Sequence, residues 1–203
     1  KRLSELKAVK QEGLVFEVPA AQEKKEEITI NEIKNQKDLE ELTKKTRSKK
    51  SFSLFLNQGR FYISVDADSV HISDDNKDLK EILEDKAIEK IMHQSKNAVK
   101  LFLKRGINPE NIFDTAIAGY LINPDQKNYD FDKLYFQEFQ ISPPSDQKYW
   151  PVYVLRLKER LWEKLKEQKL INVFEDIESP LISVLAEMEN TGISIDVKSI
   201  SDL

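Results

Sequence analysis

The order of periodicities along the chain predicts a mixed fold of the α/β or α+β class, with strands early and helices later. Two aromatic and aliphatic runs, Phe52-Ser53-Leu54-Phe55-Leu56 and Arg60-Phe61-Tyr62-Ile63-Ser64-Val65, flank a short Asn57-Gln58-Gly59 turn, which is a hairpin signal. From Leu79 onward apolar residues recur every three or four positions, the period of a helix. At 203 residues the chain is long enough for one sizeable domain.

Composition narrows the function classes. Hydrophobic residues make up 39% and charged residues 33%, which suits a globular protein with solvated helices rather than a disordered or membrane-embedded one. The sequence has no cysteine, so disulfides, thiolate metal sites and a cysteine nucleophile are excluded, and a reducing cytoplasm is the expected compartment. His71 and His93 stand 22 positions apart without companion ligands, so both read as ordinary histidines and no metal site or cofactor is expected. No apolar run approaches a membrane span, and no signal-peptide core follows Lys1-Arg2-Leu3. A net charge of −4 limits any nucleic-acid contact to local basic patches.

Element by element, residues 1–27 read as a tail and linker, with Gly13, Pro19 and the charged run from Gln22 to Glu27. Packing is expected from about Ile28. Asp38, Leu39 and Leu42 indicate a short helical stretch, followed by Lys44-Lys45-Thr46-Arg47-Ser48-Lys49-Lys50. That run reads first as a solvated helix end and second as a DNA-contacting patch. After the hairpin, Val70 and Ile72 fit a third strand. Leu79, Ile82 and Leu83 fit a helix, and so do Ala98, Leu101 and Phe102, whose helix Gly106 should stop. Asp114 is placed to cap a helix carrying Ile117, Tyr120 and Leu121 up to Pro124. Asp125 to Pro144 carries no clear period. Trp150, Val154, Leu157, Leu161 and Leu165 form one apolar stripe of a long helix. A last helix is expected to bury Phe174, Ile177, Leu181, Val184, Leu185 and Met188, with Gly192 as its cap before Ile193-Ser194-Ile195-Asp196.

The segment from Asn172 to Asp196 resembles the opening of the polymerase domain in bacterial-type family A DNA polymerases. It carries Glu178-Ser179-Pro180-Leu181, Val184-Leu185, Met188-Glu189 and Gly192-Ile193-Ser194-Ile195-Asp196 at that family's spacing. Gly106-Ile107 and the stretch from Ile112 through Phe113-Asp114-Thr115 to Pro124 resemble the family's 3′–5′ exonuclease segment. The resemblance implies a ribonuclease H-like exonuclease fold over residues 28–170, a mixed sheet flanked by helices. It implies the beginning of a polymerase domain over 171–203 and an upstream 5′-nuclease region before the tail. It also implies DNA as the partner of a parent polymerase, a monomer, and intramolecular packing on the polymerase domain.

Proofreading members of this family resemble two-metal nucleases, in which carboxylates hold divalent cations that activate water. Their pattern places Asp-x-Glu on the first strand, Asp on a middle helix and Tyr-x-x-x-Asp on a later helix. Here the strand near Phe52 to Leu56 has no acid between Glu41 and Asp66. The middle helix near Ala98 has none between Lys90 and Glu110, and the last motif near Asp146 to Trp150 has none after Asp146 until Glu159. Uncharged side chains cannot anchor Mg²⁺. The expectation is therefore a domain that has lost hydrolysis and assists a polymerase in DNA replication and repair. Two alternatives stay open: a nuclease with relocated ligands at Asp66, Asp68 and Asp114, and a nucleic-acid-binding module. The second would use Lys44, Lys45, Arg47, Lys49 and Lys50 together with Lys96, Lys100 and Lys104.

Overall fold

A computed structural model describes residues 27–74 and 79–194. Residues 1–26 of the tail and linker assigned to 1–27, and the stretch beginning at Ile195, lie outside the described residues. Strand β1 (Thr29–Glu32) leads to α1 (Gln36–Lys49), then β2 (Ser51–Asn57), β3 (Arg60–Ser64) and β4 (Ser69–Ser73). These are followed by α2 (Lys80–Glu84), β5 (Glu89–Met92), α3 (Lys96–Lys104), β6 (Ile112–Asp114) and α4 (Thr115–Ile122). The chain continues through α5 (Phe131–Phe139), α6 (Trp150–Glu167), a single turn α7 (Ile171–Val173), a π-helical turn (Phe174–Glu178) and α8 (Ser179–Thr191).

The strands form one six-stranded sheet in the order β1-β4-β3-β2-β5-β6. The β2–β3–β4 meander is antiparallel, whereas β1 joins β4, and β5 and β6 extend from β2, in parallel. The hairpin turn falls at Gln58 and Gly59, both at positive φ, which a two-residue hairpin turn needs at each central position. The two-residue alternation of β2 sends Phe52 and Leu54 to one face, where Leu42, Leu83, Met92 and Phe102 complete a core under α1, α2 and α3. The opposite face holds Ile91 and Phe113 against Val154, Leu157, Leu161 and Leu165 of α6, with Phe131, Leu134 and Tyr135 of α5. The result is a helix–sheet–helix sandwich.

Local chemistry sets the element ends. Asn35 caps α1, its side chain accepting from the backbone N–H groups of Lys37 and Asp38. Asp38 answers by accepting from the Lys34 N–H at 2.9 Å, so three donors at the helix start are met. The Lys44–Lys49 run is the end of this 14-residue helix, near the favourable negative pole of its dipole. Gly106 follows α3 at φ 70°, the left-handed geometry that stops it. The unassigned stretch Asp125 to Pro144 contains α5.

The last helix corrects the sequence reading. Of the stripe expected to be buried, only Phe174 is; Ile177, Leu181, Val184, Leu185 and Met188 are exposed. Ile182 and Ala186 do the packing instead, against Val99 of α3 and Ile112 of β6. The helix has two apolar faces, and periodicity alone cannot tell which one meets the sheet edge. Among the described residues no helix is long and apolar enough to cross a membrane.

Lys90, on β5, is fully buried beneath α1–α3, its ammonium donating to the carbonyls of Ile88, at 2.8 Å, and Asp85. Burial pushes this ammonium down to about 8, against the attraction of Asp85 and Glu110. Below pH 8 the lysine is charged in both folded and unfolded chains, and the full cost of burying the charge is present. Between about pH 8 and 10.5 the unfolded chain holds a proton that the folded one has released, so stability rises with pH. We expect Lys90→Met to be more stable than the parent chain at pH 7 by about 1 kcal/mol or more. Urea unfolding at pH 7 and pH 10 should find that gap shrinking; a gap independent of pH would exclude a buried charge as its cause.

Candidate nuclease-site pocket

The C-terminal halves of β2 and β5 end beside the start of α3 and the start of α6, where they frame a cavity of about 740 Å³. In sheets with parallel strands, the carboxyl ends of strands are where helices diverge and ligand sites form. Its lining contains Phe55 from β2, Ala98 from α3 and Trp150 from α6. The structure thus brings together, in one place, all three regions where the family pattern calls for metal-binding carboxylates. None of these three side chains carries a charge.

Aromatic packing fills this part of the cavity. The Phe55 and Trp150 rings lie 5.1 Å apart between centroids, and Trp150 is 4.6 Å from Phe131 of α5, both in tilted contact. The Trp150 indole N–H donates to the Pro144 carbonyl at 2.9 Å, which meets its one polar requirement. On the same face of β2, the Ser53 hydroxyl donates to the Pro151 carbonyl at 2.6 Å and the Asn57 amide donates to Gln147 Oε1 at 3.0 Å. Neutral hydrogen bonds therefore lock β2 to the start of α6. Asp146, the acid nearest the last motif, accepts from the Lys148 N–H at 3.2 Å and pairs with its ammonium at 2.6 Å. The Lys148 hydrogen bond holds the Asp146 carboxyl below its ordinary range.

Two carboxylates that sequence reasoning missed, Asp130 and Asp132, also line the cavity. They sit at the entrance to α5, in the stretch without a clear period, and the Asp130-x-Asp132 spacing is the only signal the sequence offers for them. Asp130 pairs with Lys133 at 3.0 Å. Among the described residues no three His, Cys, Asp or Glu side chains are grouped so as to hold a metal ion.

The relocated-ligand candidates do not meet. Asp66 and Asp68 lie in the turn after β3, and Ser64 at that strand's end pairs with Ser53, so the turn sits at the opposite end of β2 from the cavity. Asp66 Oδ1 accepts from the Ser69 N–H at 3.1 Å and the Ser69 hydroxyl at 2.8 Å, and its other oxygen pairs with Lys45. Burial pushes the Asp66 carboxyl up, but hydrogen bonds with Asp68, Lys45 and Ser69 outweigh it and hold the group well below the ordinary range. Asp68 is shifted the other way, by its hydrogen bond to Asp66 and the neighbouring charge. The Lys45 ammonium supplies the positive charge that a metal would otherwise bring.

Asp114 is 2% exposed at the end of β6 and serves two helices. One oxygen accepts from Ser95 N–H at 2.6 Å and Ser95 Oγ at 2.7 Å, at the start of α3. The other accepts from Gln94 N–H at 3.1 Å and from Ala116 N–H at 2.8 Å in α4. Its lone pairs are occupied by capping. His93, on the cavity wall, shares a 2.8 Å hydrogen bond with Thr115 Oγ1 through Nδ1, and burial lowers its pKa despite the attraction of Asp114. His71 lies on β4, separated from β5 by β3 and β2, so the two histidines share no site.

The basic residues divide. Lys45 pairs with Asp66, Arg47 with Glu81, and Lys96 and Lys100 both reach Glu189 of α8 at 2.6 Å. Hydrogen bonds from Lys100 and Lys96 hold Glu189 down to about 2. Lys44, Lys49, Lys50 and Lys104 are exposed.

A mixed sheet of this order between two helical layers, with a cavity at the strand ends, defines a ribonuclease H-like 3′–5′ exonuclease fold. A family model described as 3′–5′ exonuclease, of the family A DNA polymerases, matches residues 22–150, and the chain belongs to that family. It is 30% identical over 168 residues to DNA polymerase I of Caldicellulosiruptor bescii, covering 79% of this chain and 20% of that protein. Against DNA polymerase I of Bacillus subtilis the identity is 27%, over 72% of this chain and 18% of that protein. The chain thus spans about a fifth of the length of these relatives. Among solved structures, the POL domain of Pol1 from M. smegmatis, in complex with DNA primer-template and dNTP, superposes with a TM-score of 0.76 at 20% identity. That match covers 86% of this chain and 34% of the other. Escherichia coli RNase D, an exoribonuclease involved in structured RNA processing, superposes with a TM-score of 0.67 at 17% identity, over 79% of this chain and 51% of the other.

Asp114→Ala removes the acceptor for two helix starts at once, and we expect a loss of about 3 kcal/mol in chemical denaturation. Asp66→Ala removes the acceptor of a single turn and its ion pair with Lys45, and should cost less, about 1–2 kcal/mol. Equal losses for the two would show that Asp114 is not the joint described.

Proposed function

We propose that this chain is a non-hydrolysing 3′–5′ exonuclease domain of a DNA polymerase I, kept as a structural support for the polymerase in cytoplasmic DNA replication and repair. One observation carries the reading: Phe55, Ala98 and Trp150 converge on one cavity, and none can ligate a cation. Two-metal hydrolysis needs carboxylates at the point where water attacks, and here aromatic packing fills that point instead. On this reading residues 28–170 are the exonuclease-like domain and 171–203 begin the polymerase domain. The parent polymerase brings the DNA, and the domain packs on it within one monomeric protein.

A nucleic-acid-binding contribution rests on Lys44, Lys49, Lys50 and Lys104, which remain exposed. Phosphate contacts of that kind weaken steeply with salt. The commitment of Lys45, Arg47, Lys96 and Lys100 to internal acids favours the bracing role over this one.

We expect the purified chain, incubated with 3′-labelled single-stranded DNA and Mg²⁺ or Mn²⁺, to leave the 3′ end intact. Calorimetric titration with Mn²⁺ should give no heat of two-site binding. Shortening of the DNA that Asp66→Ala or Asp130→Asn abolishes would overturn the reading.

A further inference from the structure

Most of the large apolar side chains exposed among the described residues lie along α8 and the turn before it. Ile177, Leu181, Val184 and Met188 follow one another at intervals of four, three and four residues, with Leu185 beside them, and all are exposed, Met188 by 63%. An alternating three–four spacing is the seam by which one helix receives another, because it keeps successive side chains on a line about 3.5 residues per turn. The seam is about 16 Å long at 1.5 Å per residue. Beside it, Leu181 and Leu185 line a groove of about 550 Å³ with Ile117 and Tyr120 of α4. The surface therefore offers both a ridge and a groove.

Charge selects the occupant. From Ile171 to Thr191 the acidic residues are Glu175, Asp176, Glu178, Glu187 and Glu189, and there is no lysine or arginine. Lys96 and Lys100 neutralise Glu189 from the α3 side, which leaves the other four without an ammonium partner on their own helix. The groove itself is bordered by Glu178, Asp114 and Asp130 against one cation, Lys96, which is already paired with Glu189. A second copy of the same helix would set carboxylates against carboxylates, so self-pairing is disfavoured. We infer that the α8 seam docks an amphipathic helix whose apolar stripe is flanked by lysine or arginine. This rests on the bracing role proposed above and deepens it by naming the chemistry of the surface that α8 fits.

The test uses the full 203-residue chain and two lactam-stapled helical peptides of about 16 residues and identical leucine spacing, one flanked by lysines and one by glutamates. Fluorescence anisotropy at low salt should give an affinity for the lysine peptide at least about tenfold above that for the glutamate peptide. Val184→Ser with Met188→Ser, the two most exposed seam positions of α8, should weaken binding of the lysine peptide by about tenfold or more, while thermal unfolding falls by no more than a few degrees. Glu178→Gln with Glu187→Gln should bring the two peptides within about threefold of each other. Equal affinity for both peptides, or binding indifferent to the serine pair, would overturn the inference. So would concentration-dependent dimerisation of the chain in sedimentation that the serine pair removes, since the occupant would then be a second copy. Anisotropy reports on this surface alone, and the nuclease assay reports on hydrolysis alone, so each can fail without the other.

Discussion

The Asp114 carboxylate is the joint on which the far half of the fold depends. It sits at the end of the edge strand β6, opposite Met92 of β5 in the pairing register, and accepts from the starts of both α3 and α4. Two helix dipoles therefore converge on one buried negative charge, which meets N–H groups that would otherwise be orphaned. The positions follow from that convergence. α3 is fixed beneath one sheet face, α4 beneath the other, and Thr115 is held where it bonds His93 on the cavity wall. An acid that looks available for chemistry from its sequence context is thus committed to architecture.

On the reading proposed above, the cavity is a site whose three motif regions bring no carboxylate to it. A cluster of carboxylates is stable only with cations to offset their mutual repulsion, and leaving such a cluster unmatched in a confined pocket costs several kcal/mol. Phe55, Phe131 and Trp150 remove that requirement, since ring contacts contribute about 0.5–1.5 kcal/mol each beyond their burial. Beside the cavity, Ser53 pairs with Pro151 and Asn57 with Gln147, both neutral, while Asp130 and Asp132 are the carboxylates of its lining. Strand β2 and the start of α6 are then joined directly. Side chains alone therefore connect these two elements.

Much of this is legible in the sequence, and the limits are physical. The hairpin, the α6 stripe and the Asp114 cap can be read because each depends on neighbours within about one turn or one strand pair. β1, β5 and β6 cannot. They are three or four residues long, too short to display a two-residue alternation, and their parallel pairing is settled by distant partners. The lack of carboxylates at the three motif regions is visible from residue identity alone. That Phe55, Ala98 and Trp150 meet is not, because convergence is a property of topology. Asp130 and Asp132 are hidden for a different reason: α5 lies in a stretch where Phe136 is exposed and the apolar period is blurred.

The two faces of α8 divide by what they meet. An edge strand needs its free carbonyls met or covered, and the Ser179 hydroxyl donates to the Ile112 carbonyl at 2.7 Å as Ile182 and Ala186 close over β6. Leu181, Val184, Leu185 and Met188 are left on the other side, as more contiguous apolar surface than a helix facing only water would carry. Within one domain such a helix is a poor solution, because the stripe with the most apolar surface is the one not used. It becomes a good solution when one face secures the helix to the sheet and the other is held for a further element. The π-helical turn at Phe174–Glu178 supports that division. It keeps Phe174 buried against Phe113 at 4.7 Å while Ile177, in the same turn, faces outward, so one continuous helical run serves two surfaces.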